Sequence, residues 1–165
     1  MGRGGVHHTE LDIPRYLKNN IHCQQRYGEL RASYINWTDP AGIGHVIIPV
    51  NTPVIVDVSR RYPRIETQNI PKKTIIFELD KGRIEMSSEQ YINIITSPQP
   101  TDIERRSAID RKGIQEGKVY EGMTKERVRI ALGYPAAHKT PSLDSAAWWY
   151  WTNMDQQVEV HACRI

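Results

Sequence analysis

Over the first hundred residues the apolar positions fall in short alternating or continuous β-rich runs bounded by turn residues, the mark of strands. Leu30, Ala32 and Tyr34 alternate with polar neighbours, and His45–Val58 holds two β-rich runs parted by Pro49-Val50-Asn51-Thr52-Pro53. Proline cannot donate to a ladder, so Pro49 belongs at a strand end and Asn51-Thr52 at a turn. Asn19-Asn20 and Tyr27-Gly28 are further turn signals, and Thr38–Gly44 reads as a loop. Thr74–Leu79 and Arg83–Met86 are read as a second hairpin with Lys81-Gly82 near its tip.

The period then lengthens. Ser87–Ile95 opens on an N-cap candidate and forms one or two helical turns before Ser97-Pro98-Gln99-Pro100, the strongest boundary in the chain. A helix is expected over 101–113, capped by Thr101 or Asp102, with Ile103, Ala108 and Ile109 on its apolar side. A second spans Lys125–Leu132, with Thr124 at the N-cap, Glu126 in the first turn and Gly133-Tyr134-Pro135 ending it. Thr124 is expected to accept a hydrogen bond from a first-turn N–H. Val128, Ala131 and Leu132 make one stripe, too short to hold alone in water. Its expected partner is the strand Trp148-Trp149-Tyr150-Trp151, with a further strand over 157–165. The division is a loosely attached N-terminus over 1–15, a small all-β domain over 16–97 and a helix-helix-sheet domain over 98–165.

The run Gly117-Lys118-Val119-Tyr120-Glu121-Gly122-Met123-Thr124-Lys125-Glu126, continuing through Val128-Arg129 and Ala131-Leu132-Gly133 to Pro135 and followed by Trp148-Trp149-Tyr150, resembles the BamE-type (SmpA/OmlA) small outer-membrane lipoproteins. It covers about the last third of the chain. The resemblance implies two helices on a three-stranded antiparallel sheet, as in β-lactamase-inhibitor proteins, and a protein of the bacterial envelope that works by contact. The strand over 157–165 leaves no residues for a third, so the sheet is expected to be short, to borrow a strand from the N-terminal half, or to leave an open edge for pairing into a homodimer. Ile47-Ile48-Pro49-Val50-Asn51-Thr52-Pro53-Val54 also resembles bacterial SH3-like modules. The expected class is α+β: a small antiparallel SH3-like barrel followed by the BamE-like domain.

A net charge of +3, from 22 basic and 19 acidic residues, gives no strong footprint for nucleic acid. Arg60-Arg61, Lys72-Lys73 and Arg105-Arg106 with Arg111-Lys112 lack interleaved aromatics and read as solvated faces. No apolar run approaches the ~20 residues of a membrane span. Membrane association would come through a segment not in this chain. Met1–His8 lacks an apolar signal core, and Asn20-Ile21-His22-Cys23 is not a lipobox, a departure from the family. A Cys23–Cys163 disulfide would close a long loop, worth about 4–5 kcal/mol, and the spacing leaves both redox states open.

Neither a nucleophile elbow nor a phosphate-binding glycine loop is present. His7-His8 reads as a spectator pair, and His45, His138 and His161 as lone surface or half-buried residues. The expectation is therefore no enzyme, no cofactor, no metal and no nucleic acid. It is a non-enzymatic assembly or interaction factor of the periplasm or the inner face of the outer membrane, with other envelope proteins as partners. Its contact residues are Trp148, Trp149, Tyr150, Trp151 and Tyr134, with core packing as the competing reading. The alternative is an inhibitor-like or ligand-binding module using the Trp-rich strand.

Overall fold

The computed structural model describes residues 14–34, 44–135, 139–140, 142–151 and 157–161, the side chains of 151, 157–159 and 161 excepted. His7-His8, His138 and Cys163 lie outside them. The first seven strands are β1 (Arg15–Leu17), β2 (Ile21–Arg26), β3 (Glu29–Ser33), β4 (His45–Ile48), β5 (Pro53–Asp57), β6 (Arg64–Thr67) and β7 (Thr74–Glu78). Helices α1 (Lys81–Ile84) and α2 (Ser88–Ile95) follow, then β8 (Thr96–Ser97), α3 (Ala108–Glu116), α4 (Lys125–Leu132), β9 (Ala147–Trp151) and β10 (Gln157–His161). Arg15, assigned above to the loose N-terminus, begins β1.

The expected antiparallel SH3-like barrel is replaced by a curled eight-stranded mixed sheet, in the order β4-β2-β3-β7-β6-β5-β1-β8. β3 and β7 run parallel, with Leu30 opposite Ile75 and Ala32 opposite Phe77, while the other pairs are antiparallel. The curl follows from chain length. β2 and β1 stand five places apart in the sheet, about 24 Å if it were flat. The link from Leu17 to Ile21 can span only about 14 Å. The same holds for β4 and β5, also five places apart and joined through Pro49–Thr52. Both links therefore cross where the sheet curls back on itself, and they run side by side there because the flanking ladders share one register, Tyr16 opposite Pro53 and Ile21 opposite Ile48: Leu17 N donates to Thr52 O at 3.1 Å and Asn51 N to Leu17 O at 2.8 Å.

Inside the curl, Leu17, Ile21, Val54, Val56, Ile65, Ile75 and Phe77 are buried with Tyr91, Ile92 and Ile95 of α2. Burial alternates with period two along β5 and β6, whereas β2 and β7 each bury three consecutive residues and β3, expected to alternate, buries both Ala32 and Ser33. Tyr27 and Gly28 take φ 53° and 76°, the paired left-handed conformation of a tight hairpin turn. The hairpin expected over 74–86 fails after Leu79. Asp80 caps a short helix there, its side chain accepting from Arg83 N, and Glu85 ends it in the left-handed region. Ser87 and Gln90 form a full capping box on α2.

The expected two-helix and three-stranded domain is also corrected: α3 and α4 pack with a two-stranded β9–β10 hairpin, and no third strand joins it among the described residues. The helix expected over 101–113 starts only at Ala108. Ser107 accepts from Asp110 N, whereas Thr101 lies outside any helix, held by reciprocal hydrogen bonds with the Asn51 side chain, both 2.7 Å. Thr124 stands at the N-cap of α4, but its hydroxyl makes no hydrogen bond. The helix start rests instead on Thr124 O, which accepts from Arg127 N and Val128 N. A second core gathers Ile114, Met123, Val128, Ile130, Ala131, Leu132, Trp148 and Tyr150. Val50 enters it from the sheet side of the boundary prolines, and Tyr134 packs in the reverse direction against the first core.

Candidate binding site at the junction of the two cores

The two cores meet over these two links, 18–20 and 49–52, and Asn20 joins them. An α-helix leaves its last carbonyls without intrahelical partners. Asn20 supplies donors to both helix ends: its backbone N–H donates to Ile130 O at 2.8 Å, and Nδ2 donates to Ile114 O at 2.7 Å and to Ala131 O at 3.2 Å. Oδ1 accepts from Val50 N at 2.8 Å. This residue, 1% exposed, thus binds together β2, the 49–52 link, α3 and α4.

His22 repeats the theme two residues on. Its Nε2 lies 2.9 Å from Ala131 O and its Nδ1 3.0 Å from His45 Nε2. A carbonyl oxygen only accepts, so Nε2 carries the hydrogen and Nδ1 must accept from His45. Burial disfavours the imidazolium, and the neighbouring His45 adds to that against the opposing pull of the Ala131 carbonyl; the His22 pKa falls to about 4. The ring is a fixed neutral strut at neutral pH. The end of α3 is pressed onto this strut: Gly117, at φ 67°, would with a Cβ run into Ile47 Cδ1 and come within 3.0 Å of His22 Cε1.

Beside this hub lies a cleft of about 370 Å³ between sheet and helix pair. Ile47, Pro49 and Val50 line it from β4 and the 49–52 link, Ile103 and Ile114 from the helical side, with Glu104 and Arg111 also in the lining. Both charged residues are exposed, while Ile47 and Ile103 are half-buried. An apolar wall with charged groups of both signs beside it is the general form of a binding cleft. Across the helix pair, Asp110 Oδ2 and Arg127 Nε stand 3.9 Å apart and mostly buried.

The residues expected to make contacts are distributed differently. Trp148 and Tyr150 share one face, as period two requires, and that face is core: they are 4% and 0% exposed. Trp148 Nε1 donates to Leu143 O at 3.2 Å, and the Tyr150 hydroxyl donates to Gly133 O at 2.8 Å. Trp149, on the opposite face, is half-buried, and its backbone N–H donates to Thr140 Oγ1 at 2.9 Å. The Trp151 side chain lies outside the described residues. Tyr134 is half-buried, its hydroxyl accepting from Arg129 Nη1 at 3.2 Å. Cys23 is a buried free thiol whose pKa burial pushes up to about 12, and His45, expected to stand alone, is the ring partner of His22.

Asn20, His22 and the cleft were missed from sequence. Asn19-Asn20 has the composition of a turn, and the available signal was its setting: Asn20 and His22 alternate with the apolar Ile21 and Cys23 at the start of a strand. Compared with protein-family models, curated proteins and solved structures, the chain matches none of them.

Proposed function

We propose that the chain is a non-enzymatic binding module that receives an apolar segment of a protein partner in the cleft between the sheet and the helix pair. The observation that carries this reading is the cleft itself, apolar on both walls and built on a hydrogen-bonded hub. Preorganised walls reduce the ordering cost of association. The histidines at the hub support binding over proton transfer, since both ring nitrogens of His22 are engaged in hydrogen bonds. The resemblance of residues 117–151 to the BamE-type proteins, kept as a motif and not as a fold, supports the bacterial envelope as the setting.

A photoreactive phenylalanine analogue at Gln115, on the cleft lining and exposed, tests the reading in cells. One discrete protein adduct is expected there and none at exposed Asn93 on α2. An adduct obtained only from Trp149 moves the contact to the aromatic strand. Recovery of the native protein from the cytosolic fraction alone removes the envelope.

A further inference from the structure

The sheet has an end remote from this cleft, where the β2–β3 turn and the β6–β7 loop project together. β3 and β7 are parallel and both begin there, with Leu30 opposite Ile75. A concave pocket of about 340 Å³ between the two tips is lined by Gly28, Glu29, Arg64, Lys72, Lys73 and Ile76. One large apolar residue stands on each tip. Tyr27 is 101% exposed and Ile70 94%, whereas the next most exposed large apolar side chains among the described residues, Leu143 and Val119, reach only 40% and 36%.

Such exposure is unfavourable in water, and here it occurs at both tips of one end. The charge there is net positive. Residues 26–31 and 64–78 carry Arg26, Arg31, Arg64, Lys72 and Lys73 against Glu29, Glu66 and Glu78, an excess of two. All three acids are occupied: Glu29 and Glu78 pair with Arg31 at 2.9 Å and 2.7 Å, and Glu66 faces Lys72 at 3.9 Å. Arg64 Nε is buried without a hydrogen-bond partner.

We propose that this end of the sheet docks on an anionic lipid surface, Tyr27 and Ile70 entering the interfacial layer while Lys72, Lys73 and Arg64 face the headgroup phosphates. Exposed apolar tips beside a basic pocket combine the two attractions that hold peripheral proteins on membranes: burial of apolar area and attraction of basic side chains to negative lipid. A soluble anion would satisfy the pocket but leave both apolar tips in water, which is why a surface fits better than a free ligand.

Co-sedimentation of the full chain with vesicles tests this. Binding is expected to phosphatidylcholine vesicles containing phosphatidylserine and not to phosphatidylcholine alone, and to weaken as salt rises. Each of Lys72→Gln and Lys73→Gln should weaken it about fivefold. The double change Tyr27→Ser with Ile70→Ser should weaken it at least about tenfold; both sites are exposed, so an unchanged circular dichroism spectrum is expected. Absence of binding to the anionic vesicles, equal binding to the neutral ones, or full binding by the folded Tyr27→Ser, Ile70→Ser protein overturns the proposal.

Discussion

Replacing Asn20 by alanine removes one amide group and strips partners from two elements at once. Val50 N–H loses its acceptor and Ile114 C=O loses its donor, while Ala131 O keeps the bond from His22 Nε2. A buried polar group left unpaired costs about 1–3 kcal/mol, so two orphans predict a loss of about 4 kcal/mol. That is a large share of the ~5–15 kcal/mol that holds a typical domain together. Urea unfolding at pH 7 gives the number directly from the midpoint and slope. Three of the four tryptophans, at 148, 149 and 151, lie in the β9 hairpin. Their fluorescence therefore weights the second core, and the variant's fluorescence transition should separate from its circular dichroism transition as the cores uncouple. Asn20→Asp sharpens the test. At pH 7 its carboxylate would face two carbonyl oxygens at helix C-termini, where negative charge is disfavoured; once protonated it can donate one hydrogen bond. Its penalty relative to wild type should shrink toward pH 4. A loss below about 1 kcal/mol for Asn20→Ala, with coincident transitions, would refute the assignment of Asn20 as the joint between the cores.

Three further outcomes follow from the same packing. The His22 pKa falls from 6.5 to about 4 on folding, so the unfolded chain takes up the proton first. The stability this provides is complete above pH 6.5 and is lost as pH falls toward 4. Between pH 7 and pH 5 about 2 kcal/mol should disappear from the wild type, and His22→Gln should flatten that slope in paired urea titrations. Gly117→Ala places a methyl group against Ile47 in a left-handed conformation and should cost about 2 kcal/mol or more, read as a drop in Tm. Trp148→Ala empties a core site and should cost about 3–5 kcal/mol, while Trp149→Ala on the other face should cost markedly less by the same denaturation assay.

What could be read from sequence was local. Apolar runs between turn signals located most strands, though not β6 or β8, Tyr27-Gly28 and Asn51-Thr52 marked real turns, and the Gly133 stop ended α4. What failed depends on distant partners. The parallel β3–β7 pair joins residues more than forty apart and leaves no mark in either strand. Thr101 looked like a cap because nothing in its neighbourhood announces Asn51, whose side chain binds both its N–H and its carbonyl. Lys81-Gly82 looked like a hairpin tip because a lone Asp80 three residues before Arg83 is a weak helix signal until its side chain is seen on the Arg83 N–H. The cleft was illegible for the same reason: its walls come from three separated segments and exist only after Asn20 has drawn them together.

The two links bear on the order in which the protein assembles. The 18–20 and 49–52 links are set side by side by the β1–β5 and β2–β4 ladders that flank them in one register, about thirty residues apart in the chain. The acceptors that Asn20 and His22 seek, at Ile114, Ile130 and Ala131, lie roughly a hundred residues further along the chain. Contacts of such separation form late because loop closure must be met first. Docking of the helix pair is then the closing step of folding, and fluorescence from the β9 tryptophans would keep time for the whole molecule.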